Sequence, residues 1–219
     1  MRSKKTRIYV VDDHPLMRDG MTLMISSEPA WQICGSAGSM QEVLQQLPST
    51  EPDLLVMDLS LKDGLGLDLI KTVKERHPQV RMLVVSAYDE NLYAERALRN
   101  GASGYVNKQE CDTTLLQAIR TVLSGRRYIS EAIQLRLIDR AIDGTESESG
   151  DPVERLTDRE LEIFRLIGQG ITPAAIAQQL HISPHTVDSH REKIRHKLGL
   201  ENGRELMQRA MRWVLDHDQ

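Results

Sequence analysis

The sequence has 219 residues, of which 40% are hydrophobic and 27% are charged, a composition that excludes a disordered or collagen-like chain and suits two modest folded domains. No apolar run approaches the roughly 20 residues that cross a bilayer, and none follows Met1 as in a signal peptide, so we expect a cytoplasmic protein without membrane contact. The net charge of -4 lies within residues 1–151, because residues 152–219 contain ten basic and ten acidic side chains, so any contact with nucleic acid requires a local basic patch.

Within residues 1–127, short apolar segments alternate with amphipathic ones. The apolar segments are Ile8–Val11, Trp31–Cys34, Leu54–Met57, Met82–Val85 and Gly104–Val106. Apolar runs rich in Val and Ile predict strands that are buried on both faces, as in a parallel sheet covered by helices. The amphipathic segments predict helices near residues 16–26, 41–47, 67–76, 92–100 and 113–123. This alternation predicts an α/β domain with a doubly wound, five-stranded parallel sheet, whose sites lie at the carboxyl ends of the strands.

The remainder of the chain carries only helical patterns. A further helix is predicted near residues 131–142, and Asp143–Pro152 has no apolar residue, which indicates a flexible linker. Four helical segments follow, near residues 158–168, 173–180, 184–198 and 203–216. The predicted organisation is the α/β domain at residues 1–127, a linker with a short helix at 128–152, and an all-α four-helix domain at 153–219.

Polar residues follow four of the predicted strands. Asp12 and Asp13 come after the first strand, Asp58 after the third, Ser86 after the fourth and Lys108 after the fifth. Because the carboxyl ends of parallel strands meet at one edge, these side chains should lie together, and three adjacent carboxylates suit Mg²⁺, which prefers oxygen ligands. With that charge neutralised, Asp58 would attack an incoming phosphoryl group in line, while Lys108 and Ser86 contact the transferred oxygens. Turn preference explains any one of these residues but would rarely assemble the whole set.

Four motifs around these residues resemble the receiver domains of bacterial response regulators. They are Val11-Asp12-Asp13-His14, Met57-Asp58-Leu59, Ser86-Ala87 and Gly104-Tyr105-Val106-Asn107-Lys108, and the resemblance covers about residues 6–125. It implies a flavodoxin-like fold in which Asp58 is the phosphoacceptor and a sensor histidine kinase is the donor. It also implies that Asp13, Asp58 and the Ser60 carbonyl bind Mg²⁺ directly, and that Asp12 contributes through water.

The same resemblance implies a switch formed by Ser86 and Tyr105. After phosphorylation of Asp58, Ser86 would turn toward the phosphate and the Tyr105 ring would move inward behind it. Taken alone, Tyr105 also fits a half-buried core aromatic.

Two departures from the receiver pattern lie close to the pocket in the sequence. The loop after Asp58, which usually carries Met-Pro-Gly, contains Leu61-Lys62-Asp63-Gly64, and we expect its charge pair to lie beside the pocket. Gln109 replaces the proline that many receivers place after the active-site lysine. Because cis bonds without proline are costly, this replacement leaves open whether the Lys108 peptide bond is cis.

A second group of motifs resembles the LuxR-type helix-turn-helix of NarL/FixJ response regulators. The motifs cover about residues 153–216 and are Leu156-Thr157-Asp158-Arg159-Glu160, Gly168-Gln169-Gly170, Ala174-Ala175-Ile176-Ala177 and Ser183-Pro184-His185-Thr186-Val187. Thr157 and Glu160 predict a capping box, Gly170 predicts a helix end, and Ser183 predicts the cap of the next helix. The resemblance implies that this domain binds DNA.

The second helix of this motif is the expected recognition helix. Its Val187, Ile194 and Leu198 recur at helical spacing and should face the core. The other face would meet base edges through His185, Thr186, Asp188, Ser189 and Glu192, and phosphates through Arg191, Lys193, Arg195 and Lys197. The alternative is an ordinary solvated helix face, which this charge pattern also fits. An acid close to DNA costs energy unless it accepts a hydrogen bond from a cytosine amino group, so Asp188 would select its site by exclusion.

These features predict a two-component response regulator whose DNA binding is activated by phosphorylation of Asp58. We expect a homodimer on inverted-repeat or tandem half-sites, because one small helix-turn-helix buries little surface, and Trp213 is either a core residue or a dimer contact. One alternative is a phosphorylation-independent DNA-binding regulator whose receiver domain docks a protein partner. Another is a magnesium phosphatase that uses Asp58 as its nucleophile, but no additional acid–base residue accompanies the pocket. We therefore expect no catalysis beyond phosphoryl acceptance and self-dephosphorylation.

Overall fold

The computed structural model of the chain describes residues 5–143 and 151–217. These residues form two compact units, which divide between Leu135 and Arg136, inside the helix predicted for the linker. Residues 144–150, the centre of the predicted flexible linker, lie outside the described residues. In the described part of the chain, no helix is both long enough and apolar enough to cross a membrane.

The first unit is built on a parallel sheet. Its strands are β1 (Thr6–Val11), β2 (Trp31–Ala37), β3 (Leu54–Met57), β4 (Ser60–Leu61), β5 (Gly64–Leu65), β6 (Arg81–Ser86) and β7 (Gly104–Asn107). Five of them pair in parallel in the order β2-β1-β3-β6-β7, which confirms the predicted doubly wound, five-stranded sheet. The central apolar runs are strands because both of their faces are covered: every residue of 8–11 and 54–57 is 0% exposed.

Helices separate the strands at the predicted places. They are α1 (Pro15–Ser26), α2 (Met40–Thr50), α3 (Gly66–Arg76), α4 (Glu90–Asn100) and α5 (Cys111–Leu123). Ser39 caps α2 by accepting a hydrogen bond from the Glu42 amide, and Asp89 caps α4 by accepting one from the Asn91 amide. These caps pair amides that would otherwise have no partner within the helix.

The sheet continues past residue 127, where the sequence pattern ended. Tyr128 forms a parallel bridge with Gly104, and its carbonyl accepts a hydrogen bond of 2.8 Å from the Tyr105 amide. A Cβ on Gly104 would lie 2.8 Å from the Tyr128 carbonyl oxygen, so this close approach needs glycine. The chain then enters α6 (Glu131–Asp143), whose Ile133 is buried.

The loop after Asp58 forms the short antiparallel pair of β4 and β5, which no sequence pattern predicted. The Asp63 carboxylate accepts hydrogen bonds from the amides of Met40 (2.9 Å) and Gln41 (3.0 Å) at the start of α2. The Lys62 ammonium group lies 3.9 Å from a carboxylate oxygen of Glu42, in the same turn. Both charges of this loop therefore engage α2, whereas we expected them to lie beside the acidic pocket.

The second unit contains the four predicted helices. They are α7 (Asp158–Gly168), α8 (Pro173–Gln179), α9 (Pro184–Leu198) and α10 (Gly203–His217). The predicted capping box is present, since Thr157 accepts a hydrogen bond from the Glu160 amide and the Glu160 carboxylate accepts one from the Thr157 amide. A Cβ on Gly168 would clash with the Ala210 carbonyl, so glycine allows α7 and α10 to pack closely.

Trp213 belongs to the core of this unit. It is 3% exposed, its ring centroid lies 5.8 Å from that of Phe164, and it stacks on His217 at 4.8 Å. The alternative assignment of Trp213 as a dimer contact is therefore wrong, because its ring is already covered within one copy of the chain. The exposed apolar side chains of α10 are instead Met207, Met211 and Leu215.

Candidate functional site

The candidate phosphoacceptor pocket lies at the carboxyl edge of the sheet. Val11 at the end of β1 pairs with Met57 at the end of β3, so the residues that follow, Asp12 and Asp58, are neighbours. Ser86 ends β6 beside Asn107 of β7, and Lys108 comes next in the chain. Strand register therefore brings the predicted acidic and basic residues together.

Lys108 joins two buried carboxylates in this pocket. Its ammonium nitrogen lies 2.7 Å from Oδ2 of Asp12 and 2.7 Å from Oδ2 of Asp58, which are 0% and 1% exposed. Burial raises the pKa of Asp58, and the Lys108 charge opposes that shift without cancelling it. Burial opposes the charge on Lys108, but Asp58 and Asp12 outweigh it and raise the Lys108 pKa. The ammonium group is thus held charged between the two acids.

The other oxygen of Asp58 is left available. Its Oδ1 atom is buried and accepts no hydrogen bond of ordinary geometry from the described residues. A buried acceptor without a partner is costly, so it marks a place where a ligand atom would be favourable.

Gly66 allows the loop after Asp58 to fold back against the end of β3, since a Cβ on Gly66 would lie 2.7 Å from the Asp58 carbonyl oxygen. Ser60, whose carbonyl was predicted as a metal ligand, begins β4 and is half-buried.

Asp13 and His14 complete the acidic group. The Nδ1 atom of His14 lies 2.8 Å from Oδ1 of Asp13 and 3.4 Å from Oδ1 of Asp12. Each of Asp12, Asp13, His14 and Asp58 offers a ligand atom within 4.8 Å of those of the others. His14 belongs to the first receiver-like motif but was not predicted as a site residue. The available signal was its position directly after the acidic pair.

The predicted switch residues meet at a third residue, Tyr88. The Ser86 hydroxyl accepts a hydrogen bond from the Tyr88 amide at 3.3 Å, and the Tyr105 hydroxyl donates one to the Tyr88 carbonyl at 2.8 Å. Tyr105 is 1% exposed, and burial raises its pKa well above the usual value. The ring is therefore fully buried, so the alternative of a half-buried aromatic is wrong. The segment of Tyr88 connects the two switch residues, a link that sequence patterns did not reveal.

The peptide bonds around Lys108 follow the ordinary geometry. Among the described residues, no peptide bond is cis. Gln109, which replaces the usual proline, donates its amide proton to the Asn107 side chain at 2.9 Å. The question that the sequence left open at Lys108 is thus answered in favour of a trans bond.

The candidate nucleic-acid interface is the outer face of α9. Val187 and Ile194 are 0% exposed and Leu198 is half-buried, as the periodicity predicted. Ser183 caps the helix, accepting a hydrogen bond of 3.0 Å from the Thr186 amide. Three of the predicted base-contacting residues are exposed, namely His185, Asp188 and Glu192. The other two, Thr186 and Ser189, are half-buried.

Ion pairs connect the two classes of predicted DNA contact on α9. Arg191 lies 3.0 Å from the Asp188 carboxylate and Arg195 lies 3.0 Å from the Glu192 carboxylate. Both acids are more than half exposed, at 60% and 67%, so these pairs contribute little to stability and can exchange with phosphates. Lys193 is exposed and has no carboxylate partner among the described residues, which leaves its charge available.

Lys197 differs from the other predicted phosphate contacts. Its ammonium nitrogen lies 2.6 Å from the buried Glu160 carboxylate of the capping box and 3.3 Å from the Arg155 carbonyl oxygen. Burial of Glu160 opposes its ionisation, but bonds from Lys197 and Thr157 outweigh this and lower the Glu160 pKa. Lys197 is therefore engaged inside the domain, because a buried carboxylate needs a cation.

Comparison with known proteins identifies the family. The chain matches the response regulator receiver domain over residues 8–120 and the bacterial regulatory proteins of the luxR family over residues 154–210. The chain belongs to the response regulators with a LuxR-type DNA-binding domain. It is a two-component, DNA-binding transcription regulator, as the two resemblances in the sequence implied.

Relatives of this response regulator match it over nearly the whole chain. The oxygen regulatory protein NreC of Staphylococcus haemolyticus is 33% identical over 94% of this chain and 97% of that protein. RcsB of Salmonella enterica serovar Typhimurium, solved bound to the promoter rprA in the presence of phosphomimetic BeF3-, is 26% identical, with a TM-score of 0.70 over 93% of this chain and 97% of that one. A structure of two RcsB dimers bound to two parallel DNAs is 26% identical, with a TM-score of 0.58 over 93% and 97% of the two chains.

Proposed function

We propose that Asp58 of this response regulator accepts a phosphoryl group from the phosphohistidine of a sensor histidine kinase, and that the phosphorylated protein binds DNA as a homodimer. One observation carries the proposal: the Lys108 ammonium group contacts Oδ2 of Asp58, while the buried Oδ1 accepts no hydrogen bond of ordinary geometry from the described residues. That oxygen is the nucleophile. It forms a bond to phosphorus as the bond from phosphorus to the kinase histidine nitrogen breaks, and this nitrogen keeps the electron pair.

The pocket residues fit Mg²⁺, because three carboxylates converge within reach of one ion. Asp13, Asp58 and the Ser60 carbonyl would hold the ion directly, and Asp12 would hold it through water. When bound, Mg²⁺ neutralises charge on the transferred oxygens. We assign His14 to orienting Asp13 instead, because an imidazole nitrogen suits this hard ion less well than oxygen.

The switch would act through Ser86. Its hydroxyl turns from the Tyr88 amide toward the phosphoryl oxygens, and this movement frees the segment that Tyr105 also holds. The inward position of the Tyr105 ring, expected from the family only after phosphorylation, is already occupied in this structure. Release of Tyr88, rather than entry of the ring, is therefore the step that we assign to phosphorylation.

On DNA, α9 would lie in the major groove. His185, Thr186, Asp188, Ser189 and Glu192 would face bases, and Arg191, Lys193 and Arg195 would contact phosphates. Lys197 would remain bound to Glu160, so it would not contact phosphate as the sequence predicted. A domain with equal numbers of acidic and basic residues binds DNA weakly, so two copies on inverted or tandem half-sites would be needed for specific affinity.

The exposed stripe of α10 is our candidate surface for the second copy. Met207, Met211 and Leu215 recur every fourth residue and are 47%, 47% and 68% exposed. A copy of the same chain is the occupant that we favour, because an RcsB structure that resembles this chain contains dimers on DNA. Phosphorylated Met211→Glu should remain monomeric in light scattering at concentrations where the parent dimerises. Arg212→Glu, a larger charge change outside the stripe, should dimerise normally, and a dimeric Met211→Glu protein would reject this surface.

Phosphorylation by acetyl phosphate tests whether Asp58 is the phosphoacceptor. The full-length protein incubated with acetyl phosphate and Mg²⁺ should gain one phosphoryl group by intact mass, mapped to the peptide that contains Asp58. Asp58→Asn should not be labelled, whereas Asp63→Asn, whose carboxylate caps α2, should be labelled normally. Labelling of Asp58→Asn, or no labelling of the parent with Mg²⁺ present, would contradict the proposal and favour a phosphorylation-independent regulator.

A further inference from the structure

A second charged cavity lies in the first unit, where strands β6 and β7 begin. Arg81 is the first residue of β6 and Ser103 precedes β7, so the cavity is at the edge of the sheet opposite to the acidic pocket. Its volume is about 230 Å³. The residues that matter for its chemistry are Lys74, Arg81, Gly101, Ser103, Arg126 and Arg127.

Four positive charges surround this cavity, and its lining contains no acidic residue. Within the described residues, none of Lys74, Arg81, Arg126 and Arg127 makes an ion pair with a carboxylate. Other cations of the same unit do: Arg99 pairs with Glu95, and Arg120 pairs with Glu28. All four are exposed, so they form a local patch of positive charge in a chain whose net charge is -4.

The cations are positioned by the backbone around them. Arg81 donates a hydrogen bond to the Leu123 carbonyl at 3.0 Å, and Arg126 donates one to the Ser124 hydroxyl at 3.3 Å. A Cβ on Gly101, where φ is +115°, would lie 2.8 Å from Cγ of Lys74, so the lysine stem packs against a glycine that the backbone requires. Arg81, Arg126 and the stem of Lys74 are thus each held by a contact within the unit.

The helix C-termini beside the cavity compensate only part of the positive charge of the four cations. Helices α3, α4 and α5 all end beside the cavity, and cations commonly offset the partial negative charge of helix C-termini. Each terminus carries about half an elementary charge, so the three together supply about one and a half negative charges. That is less than half of the charge of the four cations, so a positive potential that attracts anions remains at this place.

We propose that this cavity binds a small polyanion with two or more phosphate-type groups. Guanidinium groups bind phosphate through paired hydrogen bonds, and the Ser103 hydroxyl adds a neutral donor at the wall. The volume of this open cavity suits a small molecule of the size of pyrophosphate rather than a nucleic-acid duplex. The site is independent of the phosphoacceptor chemistry, because it shares no residue with the acidic pocket and has no carboxylate to hold Mg²⁺.

Pyrophosphate is the probe. Calorimetric titration of the full-length protein at constant ionic strength, without divalent metal, should show saturable binding, and amide NMR shifts should centre on residues 101–103 and 125–127. Lys74→Gln and Arg126→Gln should each weaken binding about three- to tenfold. Lys71→Gln is the matched control, since it makes the same charge change on the same helix outside the cavity lining, and it should change affinity less than about twofold.

Three results would overturn the proposal. The first is the absence of saturable binding, which would leave the cations as charge compensation for helix ends. The second is an equal loss in Lys71→Gln and Lys74→Gln, which would indicate non-specific screening. The third is a set of amide shifts confined to α9, which would place the phosphate on the DNA-binding surface. Unchanged thermal unfolding of the variants should show that any loss of binding is not a loss of fold.

Discussion

The ammonium group of Lys108 lies 2.7 Å from Oδ2 of Asp58, and this contact gives the two oxygens of the carboxylate different environments. Oδ2 is neutralised by a cation that also contacts Asp12, while Oδ1 accepts no hydrogen bond of ordinary geometry from the described residues. In the proposed phosphoryl transfer, this arrangement would leave one oxygen to react while the other is held in place. The contact also places a positive charge next to the position that a transferred phosphoryl group would take.

Lys108→Ala should slow phosphoryl transfer. Removing the ammonium group takes away a charge-assisted contact to the transferred oxygens, so we expect labelling of Asp58 by acetyl phosphate to slow about tenfold or more. Lys62→Ala is the control, because this lysine is near the pocket in sequence but lies by Glu42 on α2. Intact-mass time courses measure both rates, and equal rates for the parent and Lys108→Ala would exclude this role for Lys108.

Magnesium should stabilise the folded protein through the acidic group. At a concentration ten times its dissociation constant, a ligand that binds only the folded state adds about 1.4 kcal/mol, or about 5 °C in Tm for a domain of this size. Scanning fluorimetry with Mg²⁺ and then EDTA measures the shift. Asp13→Asn should lose most of it and Asp63→Asn should keep it. A shift of the same size in both variants would place the ion elsewhere.

The Glu160–Lys197 pair predicts a pH-dependent stability. The Glu160 pKa is lowered from 4.5 in the folded state, so the folded protein favours the ionised form. Its stabilisation is therefore complete above about pH 4.5 and is lost as the pH falls through the lower folded-state pKa. Glu160→Gln should lower the free energy of unfolding by about 1–3 kcal/mol at pH 7, with a smaller difference in acid. Urea unfolding monitored at Trp213, which lies in the same unit, reports this change.

Glu192→Gln is the comparison for that measurement. Its carboxylate pairs with Arg195 but is 67% exposed, so the substitution should cost less than about 0.5 kcal/mol at any pH. Similar losses in the two variants would mean that burial of Glu160 does not strengthen its pair with Lys197.

Two lysines on α9 should affect DNA binding differently. Lys193→Ala should weaken DNA binding of the phosphorylated protein and reduce the salt dependence of its affinity by about one unit of slope, with no loss of stability. Lys197→Ala should instead lower stability, because it leaves Glu160 buried without its cation. Fluorescence anisotropy across a salt series separates these effects. A lower slope with unchanged stability in Lys197→Ala would restore Lys197 as a phosphate contact.

The features that could be predicted from the sequence are those encoded by residues close together in the chain. Apolar runs located the strands because both faces of the sheet are covered, and Ser183 located the start of α9 because a cap acts within three residues. The order of polar residues at strand ends then predicted the pocket, because parallel strands end at one edge.

The features that sequence missed depend on residues that are distant in the chain or on local geometry without a pattern. Lys197 carries the same charge whether it faces solvent or Glu160, and only the packing of α9 on α7 decides between them. The shared contact of Ser86 and Tyr105 at residue 88 likewise uses backbone atoms, which have no sequence signature. Trp213 fitted both alternatives because helical periodicity shows which face is apolar but not what covers it.

The effect of phosphorylation on DNA affinity distinguishes a phosphorylation-switched regulator from a phosphorylation-independent one. A DNA fragment is first selected from a random library by the phosphorylated protein, and its affinity is then measured for the parent and for Asp58→Asn, each with and without acetyl phosphate and Mg²⁺. We expect phosphorylation to raise the affinity of the parent by about tenfold or more and to leave that of Asp58→Asn unchanged. Equal affinity of the parent in the two conditions, with Asp58 shown to be phosphorylated, would contradict it.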